Sequence, residues 1–296
     1  MEKLLNLLGW TNSQKESFYL WKRSLRAMLV TLLMSLQLFN FAAFKAPVIP
    51  SGEGPDLRGY KEVVFDDFNG DALNEDIWFY RGEGRSRCGY HAGSQVSVKD
   101  GNMILSGEYL DADEGKFGEG WYSGCVALKE KYLRGYFEIR CICNSDKGFW
   151  SAFWIQADHP YDERSKGGVE GAEIDIMEAM NYNAFLPFMR DEISQTIWCN
   201  GTDDDMENLD KCCVFALGKK IYKSYNTYGL MWDENEYIFY VNGKETFRTS
   251  FGLGVSTVPE QVLVSLELPD ELPKKIADNH DYKTQMTVDY VKIYQK

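Results

Sequence analysis

Apolar and polar residues alternate with a period of two along most of this chain, as they do in strands that bury one face. Over residues 135–143, Phe137, Ile139 and Cys141 fall on one face and Glu138, Arg140 and Ile142 on the other. Over residues 149–156, Trp150, Ala152, Trp154 and Gln156 fall together. Shorter runs at 63–65, 94–98, 103–106, 236–241, 246–248, 262–268 and 286–294 read the same way. Two of the links between them, Lys99-Asp100-Gly101-Asn102 and Asn242-Gly243, carry the residues that tight hairpin turns require. Many short strands with regular turns and no long helix beyond residue 60 predict an all-β sandwich of two sheets. No internal repeat or low-complexity segment is evident.

One strand breaks the alternation. In Gly171-Ala172-Glu173-Ile174-Asp175-Ile176-Met177-Glu178-Ala179-Met180, the apolar residues Ala172, Ile174 and Ile176 alternate with Glu173 and Asp175. A regular strand would then turn Met177 to the acid face and Glu178 into the core. Burying an unpaired carboxylate is costly, so one extra residue, a β-bulge near Ile176-Met177, is expected. The bulge returns Glu178 to the face of Glu173 and Asp175. Three acids on one surface repel, which spreads their proton affinities. Such an arrangement suits glycoside hydrolysis, which needs one ionised and one protonated carboxyl. A solvated acidic edge strand is the plainer alternative.

The first 50 residues differ in kind. They carry a charge balance of +4, which leaves −17 for the remainder. Residues 27–44 contain no charge and follow Lys22, Arg23 and Arg26. Ser13-Gln14-Lys15-Glu16 reads as a capping box that opens a helix running through this stretch. Eighteen helical residues span about 27 Å, close to the thickness of a bilayer core. The basic flank predicts a cytoplasmic N-terminus with the rest of the chain outside. A signal-anchor helix, a cleaved signal peptide and a helix packed on soluble protein remain three readings of this segment. The expected organisation is a basic and hydrophobic segment at 1–45, a linker at 46–59 and a β domain at 60–296.

Composition narrows the function. Aromatic residues make up 15% of the 296 residues, and exposed aromatic faces stack on sugars as well as on bases. A net charge of −13 argues against a nucleic-acid partner, since phosphates call for clustered Lys and Arg. The seven cysteines include no C-x-x-C pair, and His91, His159 and His280 are the only histidines, so a structural zinc site is not expected.

Taken in order, several segments resemble glycoside hydrolase family 16, the laminarinase-like enzymes, over about residues 63–295. They are Phe65-Asp66-Asp67-Phe68-Asn69-Gly70, Tyr122-Ser123-Gly124, Gly135-Tyr136-Phe137-Glu138-Ile139-Arg140 and Gly148-Phe149-Trp150-Ser151-Ala152-Phe153-Trp154. The acid strand, Tyr228-Gly229-Leu230-Met231-Trp232 and Val288-Asp289-Tyr290-Val291 complete the order. The resemblance implies a β-jelly-roll of two antiparallel sheets with a concave substrate cleft, preceded here by the N-terminal hydrophobic helix. It implies Glu173 as nucleophile, Glu178 as general acid/base and Asp175 as the residue that positions them, in a retaining mechanism. It places Glu138 and Arg140 in the cleft and makes Trp150, Trp154 and Trp198 sugar platforms. A cross-strand ion pair is the alternative for Glu138 and Arg140, and core packing for Trp150 and Trp154. No cofactor is required, and the resemblance matches Gly101 and Asp289 to a structural calcium site.

Two segments depart from the laminarinase pattern. Trp198-Cys199 stands where many bacterial members carry His-Trp, and the segment from Cys88 to Gln95 lacks an Asn/Glu-rich pattern. The expected function is a retaining endo-glycosidase on a β-1,3- or mixed β-1,3/1,4-glucan, secreted or tethered at the cell surface through residues 27–44, and monomeric. A transglycosylase and a non-catalytic carbohydrate-binding relative are the alternatives.

Overall fold

The structure is a computed structural model that describes residues 11, 52–145, 148–159, 168–180, 192–199, 210–216, 220–250 and 254–296. The apolar segment at 27–44 lies outside the described residues. The chain divides into two units, Met1–Ala46 and Pro47–Lys296, and the second contains every strand described here.

In chain order the strands begin with β1 (Lys61–Asp66), β2 (Trp78–Tyr80), β3 (Gly84–Ser86), β4 (Gly89–His91), β5 (Val96–Lys99) and β6 (Asn102–Leu110). Next come β7 (Gly120–Ser123), β8 (Cys125–Tyr132), β9 (Gly135–Ile142), β10 (Trp150–Gln156), β11 (Glu173–Ala179) and β12 (Glu192–Trp198). The last are β13 (Asp210–Ala216), β14 (Asn226–Trp232), β15 (Tyr237–Val241), β16 (Lys244–Thr249), β17 (Glu260–Glu267) and β18 (Lys283–Gln295). A one-turn helix, α1 (Lys274–Ala277), precedes β18.

These strands form two sheets. The larger runs β16-β15-β14-β9-β18-β6-β7-β4-β3, with β1 on β18 and β5 on β6; the smaller runs β13-β12-β11-β10-β17-β8-β2. The pairing is antiparallel except between β4 and β7, which run parallel. Alternation sorts side chains as the sequence predicts. Phe137, Ile139 and Cys141 of β9 are fully buried, as are Phe153 and Ile155 of β10 and Ile174 and Ile176 of β11. Burying each of the large apolar side chains contributes about 1.5–3 kcal/mol. Both hairpin turns form as read. Asp100 and Gly101, and Asn242 and Gly243, all take positive φ, as a two-residue turn between twisted strands demands. Five of the cysteines, Cys88, Cys125, Cys141, Cys143 and Cys199, are free thiols.

Two features fix the entrance to β11. Gly171 has φ +136, and a Cβ there would meet the Cβ of Ala157 at 2.5 Å, so only glycine lets the strand approach β10 this closely. Glu260, at the start of β17, accepts a hydrogen bond at 3.0 Å from the Ala172 amide. Burial pushes the Glu260 carboxyl up to about 8, against the lowering effect of hydrogen bonds from Ser256 and Ala172. A carboxyl whose folded-state value exceeds its unfolded value binds more protons when folded. It therefore lowers stability as pH rises from about 4.5 to 8, by about 1.4 kcal/mol per pH unit. Glu260→Gln keeps an acceptor for Ala172 and removes this penalty. Calorimetry is expected to show a higher Tm for the variant at pH 8 and no gain at pH 4.

Candidate active site

The acid strand carries the bulge that its sequence demands. Phe153 of β10 pairs with Met177 while the next residue, Trp154, pairs with Asp175, so Ile176 is the extra residue. The register with β12 skips at the same place, between Asp175 and Glu178. Ile176 and Met177 are both fully buried. Glu173, Asp175 and Glu178 consequently lie opposite Gln156, Trp154 and Ala152, on the face of the smaller sheet that points away from the core.

Each acid has its own environment. Glu173 accepts a 2.5 Å hydrogen bond from the Gln156 side-chain amide. The other end of that amide, Oε1, accepts from Arg81 Nη2 at 3.3 Å, which fixes its orientation. Asp175 is buried and accepts from Trp198 Nε1 at 2.9 Å. Glu178 accepts from Trp150 Nε1 at 3.0 Å. Its carboxyl is pushed up to about 7, chiefly by burial. The Trp150 hydrogen bond works against this, the charges of Glu173 and Glu267 add to it, and that of Arg87 opposes it. Near neutral pH the site can therefore hold a proton on Glu178 beside a Glu173 that accepts a hydrogen bond. That is the complement an acid and a nucleophile require.

The three tryptophans all reach this face. Trp150, Trp154 and Trp198 are partly buried, and Trp154 donates through Nε1 to Ser265 Oγ at 3.0 Å. Each indole N–H is thus held by an acid-face partner, which locks the ring plane. Asp175→Asn keeps the volume but removes the charge that Trp198 Nε1 meets. A fall in kcat on the order of 10²-fold is expected because the neutral acceptor holds Trp198 less firmly and the Asp175 charge no longer acts on Glu173 and Glu178, with a Tm close to that of the parent.

Two expectations need correction. Glu138 and Arg140 do turn away from the core, but β9 belongs to the larger sheet, so they face the opposite side of the sandwich from the acids. Glu138 accepts from the hydroxyls of Tyr136 and Tyr290 at 2.7 and 2.8 Å. Arg140 pairs with Asp289 and lies 4.4 Å from the Tyr225 ring centroid. A period of two reports inside against outside and says nothing of which sheet a strand joins. The calcium assignment also meets a poor donor set. Gly101 occupies a two-residue turn, and the Asp289 carboxylate is already neutralised by Arg140. Among the described residues no group of three or more His, Cys, Asp or Glu side chains could hold a metal. Calcium prefers six to eight oxygens, and Gly101 and Asp289 alone fall short of that number.

Arg81, Gln156, Arg87, His91 and Glu267 also join the site, and none of them stands out in the sequence as functional. Gln156 was accessible through its place in the Trp150–Trp154 alternation. The others come from strands and turns far away in the chain.

Comparison with known proteins agrees with this architecture. A family profile described as the β-porphyranase A–D GH16 domain matches residues 61–296. The glucan endo-1,3-β-glucosidase A1 of Niallia circulans is 24% identical over 275 residues, which cover 82% of this chain and 39% of that protein. The chain therefore spans less than half the length of that relative. β-Porphyranase B of Zobellia galactanivorans is 23% identical over 235 residues, covering 73% of this chain and 78% of that protein. Among solved structures, SCLam, a non-specific endo-β-1,3(4)-glucanase, superposes with a TM-score of 0.68 at 21% identity, covering 85% of this chain and 97% of that one. That likeness is one of fold, a jelly-roll of two sheets.

Proposed function

The chain belongs to glycoside hydrolase family 16, in the group of β-porphyranase A–D GH16 domains, and from that premise we propose that it is a retaining, endo-acting hydrolase of a β-linked polysaccharide. The observation that carries this reading is the unlike treatment of two glutamates on one bulged strand. Glu178 is partly buried with its carboxyl pushed up to about 7, and Glu173 on the same face accepts a fixed amide N–H. In the first step Glu178 gives its proton to the glycosidic oxygen as Glu173 attacks the anomeric carbon. The bond to the leaving sugar breaks and a covalent glycosyl–enzyme forms. Glu178, now a carboxylate, takes a proton from water, which attacks the same carbon and releases Glu173. Asp175 holds Trp198 beside the reacting centre. Trp150 and Trp154 offer ring faces to the sugar chain.

A β-1,3- or mixed β-1,3/1,4-glucan is the substrate we infer, in keeping with the glucanase names of the Niallia relative and of the β-glucanase of Acetivibrio thermocellus. Porphyran is the second reading, favoured by the family profile and by the Zobellia relative. A polymeric substrate suits a secreted or cell-surface domain, and residues 27–44 would serve as its tether. Incubation of the full chain with laminarin, lichenan, agarose and porphyran tests the proposal. New reducing ends from one of them, with the β-anomer formed first by NMR, are expected. Products longer than the substrate would show a transglycosylase instead. Folded protein that binds a glycan and cleaves none would show the non-catalytic alternative.

A further inference from the structure

We propose that Arg87 and Glu267 form a positioning pair for Glu178, holding Trp150 against its carboxyl and bringing one charge of each sign to bear on it. The inference rests on the acid/base role given to Glu178 above.

Arg87 lies in the turn between β3 and β4 and has φ 45, a left-handed conformation that residues with side chains rarely adopt. Its side chain is committed in three directions. Nη1 donates to Glu267 Oε2 at 2.6 Å and to the Leu268 carbonyl at 3.1 Å, and the guanidinium lies 4.9 Å from the Trp150 ring centroid. Glu267 is the cross-strand partner of Trp150 in the β10–β17 pair. Trp150 in turn donates to Glu178. Guanidinium, indole and two carboxyls thus form one connected set contributed by β10, β11, β17 and the β3–β4 turn.

Stability alone accounts poorly for this arrangement. The Arg87 side chain is 41% exposed and that of Glu267 11%, so solvent screens one end of the ion pair and limits what it adds to stability. The positive φ of Arg87 is what the two-residue β3–β4 turn demands, and the turn presents the side chain to Glu267 and Trp150. The charged and polar groups around Glu178 can be named element by element. Glu173 and Asp175 come from its own strand, Glu267 from β17, Arg87 from the β3–β4 turn, Trp150 from β10 and Ser194 from β12, where Glu192 lies further along. His91 lies 4.0 Å from Glu267 Oε2, and burial lowers its proton affinity, which favours the neutral form and leaves Arg87 as the cation facing Glu267. Glu267 makes Glu178 hold its proton more tightly, and Arg87 makes it hold the proton less tightly. Together they balance Glu178 between its duty as an acid and its duty as a base.

The two members of the pair therefore predict displacements of opposite sign, which a merely structural tie cannot produce. Removing the anion in Glu267→Gln is expected to move the alkaline fall of the pH–rate profile to lower pH, by roughly half a pH unit or more. Removing the cation in Arg87→Met is expected to move it to higher pH by a similar amount, while Arg87→Lys, which keeps the charge, stays near the parent. Arg87→Gly relieves the left-handed backbone and supplies a second, readily folded variant expected to follow Arg87→Met. The titration of Glu178, read by NMR of carboxyl-labelled glutamate and assigned by loss of the signal in Glu178→Gln, should move in parallel. Displacements of the same sign, or none in folded variants, would overturn the proposal. If the Glu178 titration moves as stated while no polysaccharide is cleaved, the hydrolase reading fails and the positioning pair stands.

Discussion

Glu173→Gln is expected to lower polysaccharide hydrolysis by on the order of 10⁴–10⁶-fold, because it removes the atom that forms the covalent intermediate. The replacement has nearly the same shape. Its carbonyl can still accept the hydrogen bond that Gln156 donates to Glu173 Oε2, and the pairing of β11 with β10 and β12 is untouched. Binding of the glycan and the Tm should therefore remain close to the parent while kcat collapses. Glu173→Ala opens space for a small anion in place of the carboxylate. Azide added with an activated aryl glycoside should then attack the anomeric carbon from that side and give the inverted glycosyl azide. Retention of more than a tenth of the parent's kcat by a folded Glu173→Gln protein would remove Glu173 from the nucleophile's place.

The acid strand shows how much a sequence can disclose and where it stops. The bulge at Ile176-Met177 was legible because Glu178 stood at a position whose parity would have buried it. The strand faces of β9 and β10, the hairpin at Asn242-Gly243 and the sandwich itself were legible for a similar reason. All are local consequences of period two and of turn chemistry. Glu138 and Arg140 mark the limit. Their parity was read correctly, but their sheet is decided by pairing of β9 with β14 and β18, whose partners lie about 90 and 150 residues later. The Arg87–Glu267 contact joins residues 180 apart in sequence, one of them in a turn with no periodicity to read. Glu260 precedes the run read at 262–268, and only the packed structure shows it enclosed beside Ala172. Local pattern therefore fixes which way a side chain points, and long-range pairing fixes what it meets.

The second large effect concerns Glu178 and separates its two duties. With its carboxyl pushed up to about 7, chiefly by burial, Glu178 is protonated below that pH. As a proton donor it should sustain the rate there and lose it as pH rises through about 7, so the parent enzyme is expected to show its alkaline fall in that range. Glu178→Ala removes both the proton for the leaving sugar and the base for water. On polysaccharide, whose leaving group is a poor one, the rate should drop by about 10²–10⁴-fold and the alkaline fall near 7 should vanish. On an aryl glycoside that leaves without help, Glu173 can still form the glycosyl–enzyme, so a burst of aryl product should precede slow turnover. Azide then attacks from the face vacated by Glu178, and two inversions give a retained glycosyl azide. The opposite stereochemistry of the azide products from the Glu173 and Glu178 variants would assign the two carboxyls without reference to any relative. A single product configuration from both would mean that the two glutamates do not flank one anomeric carbon.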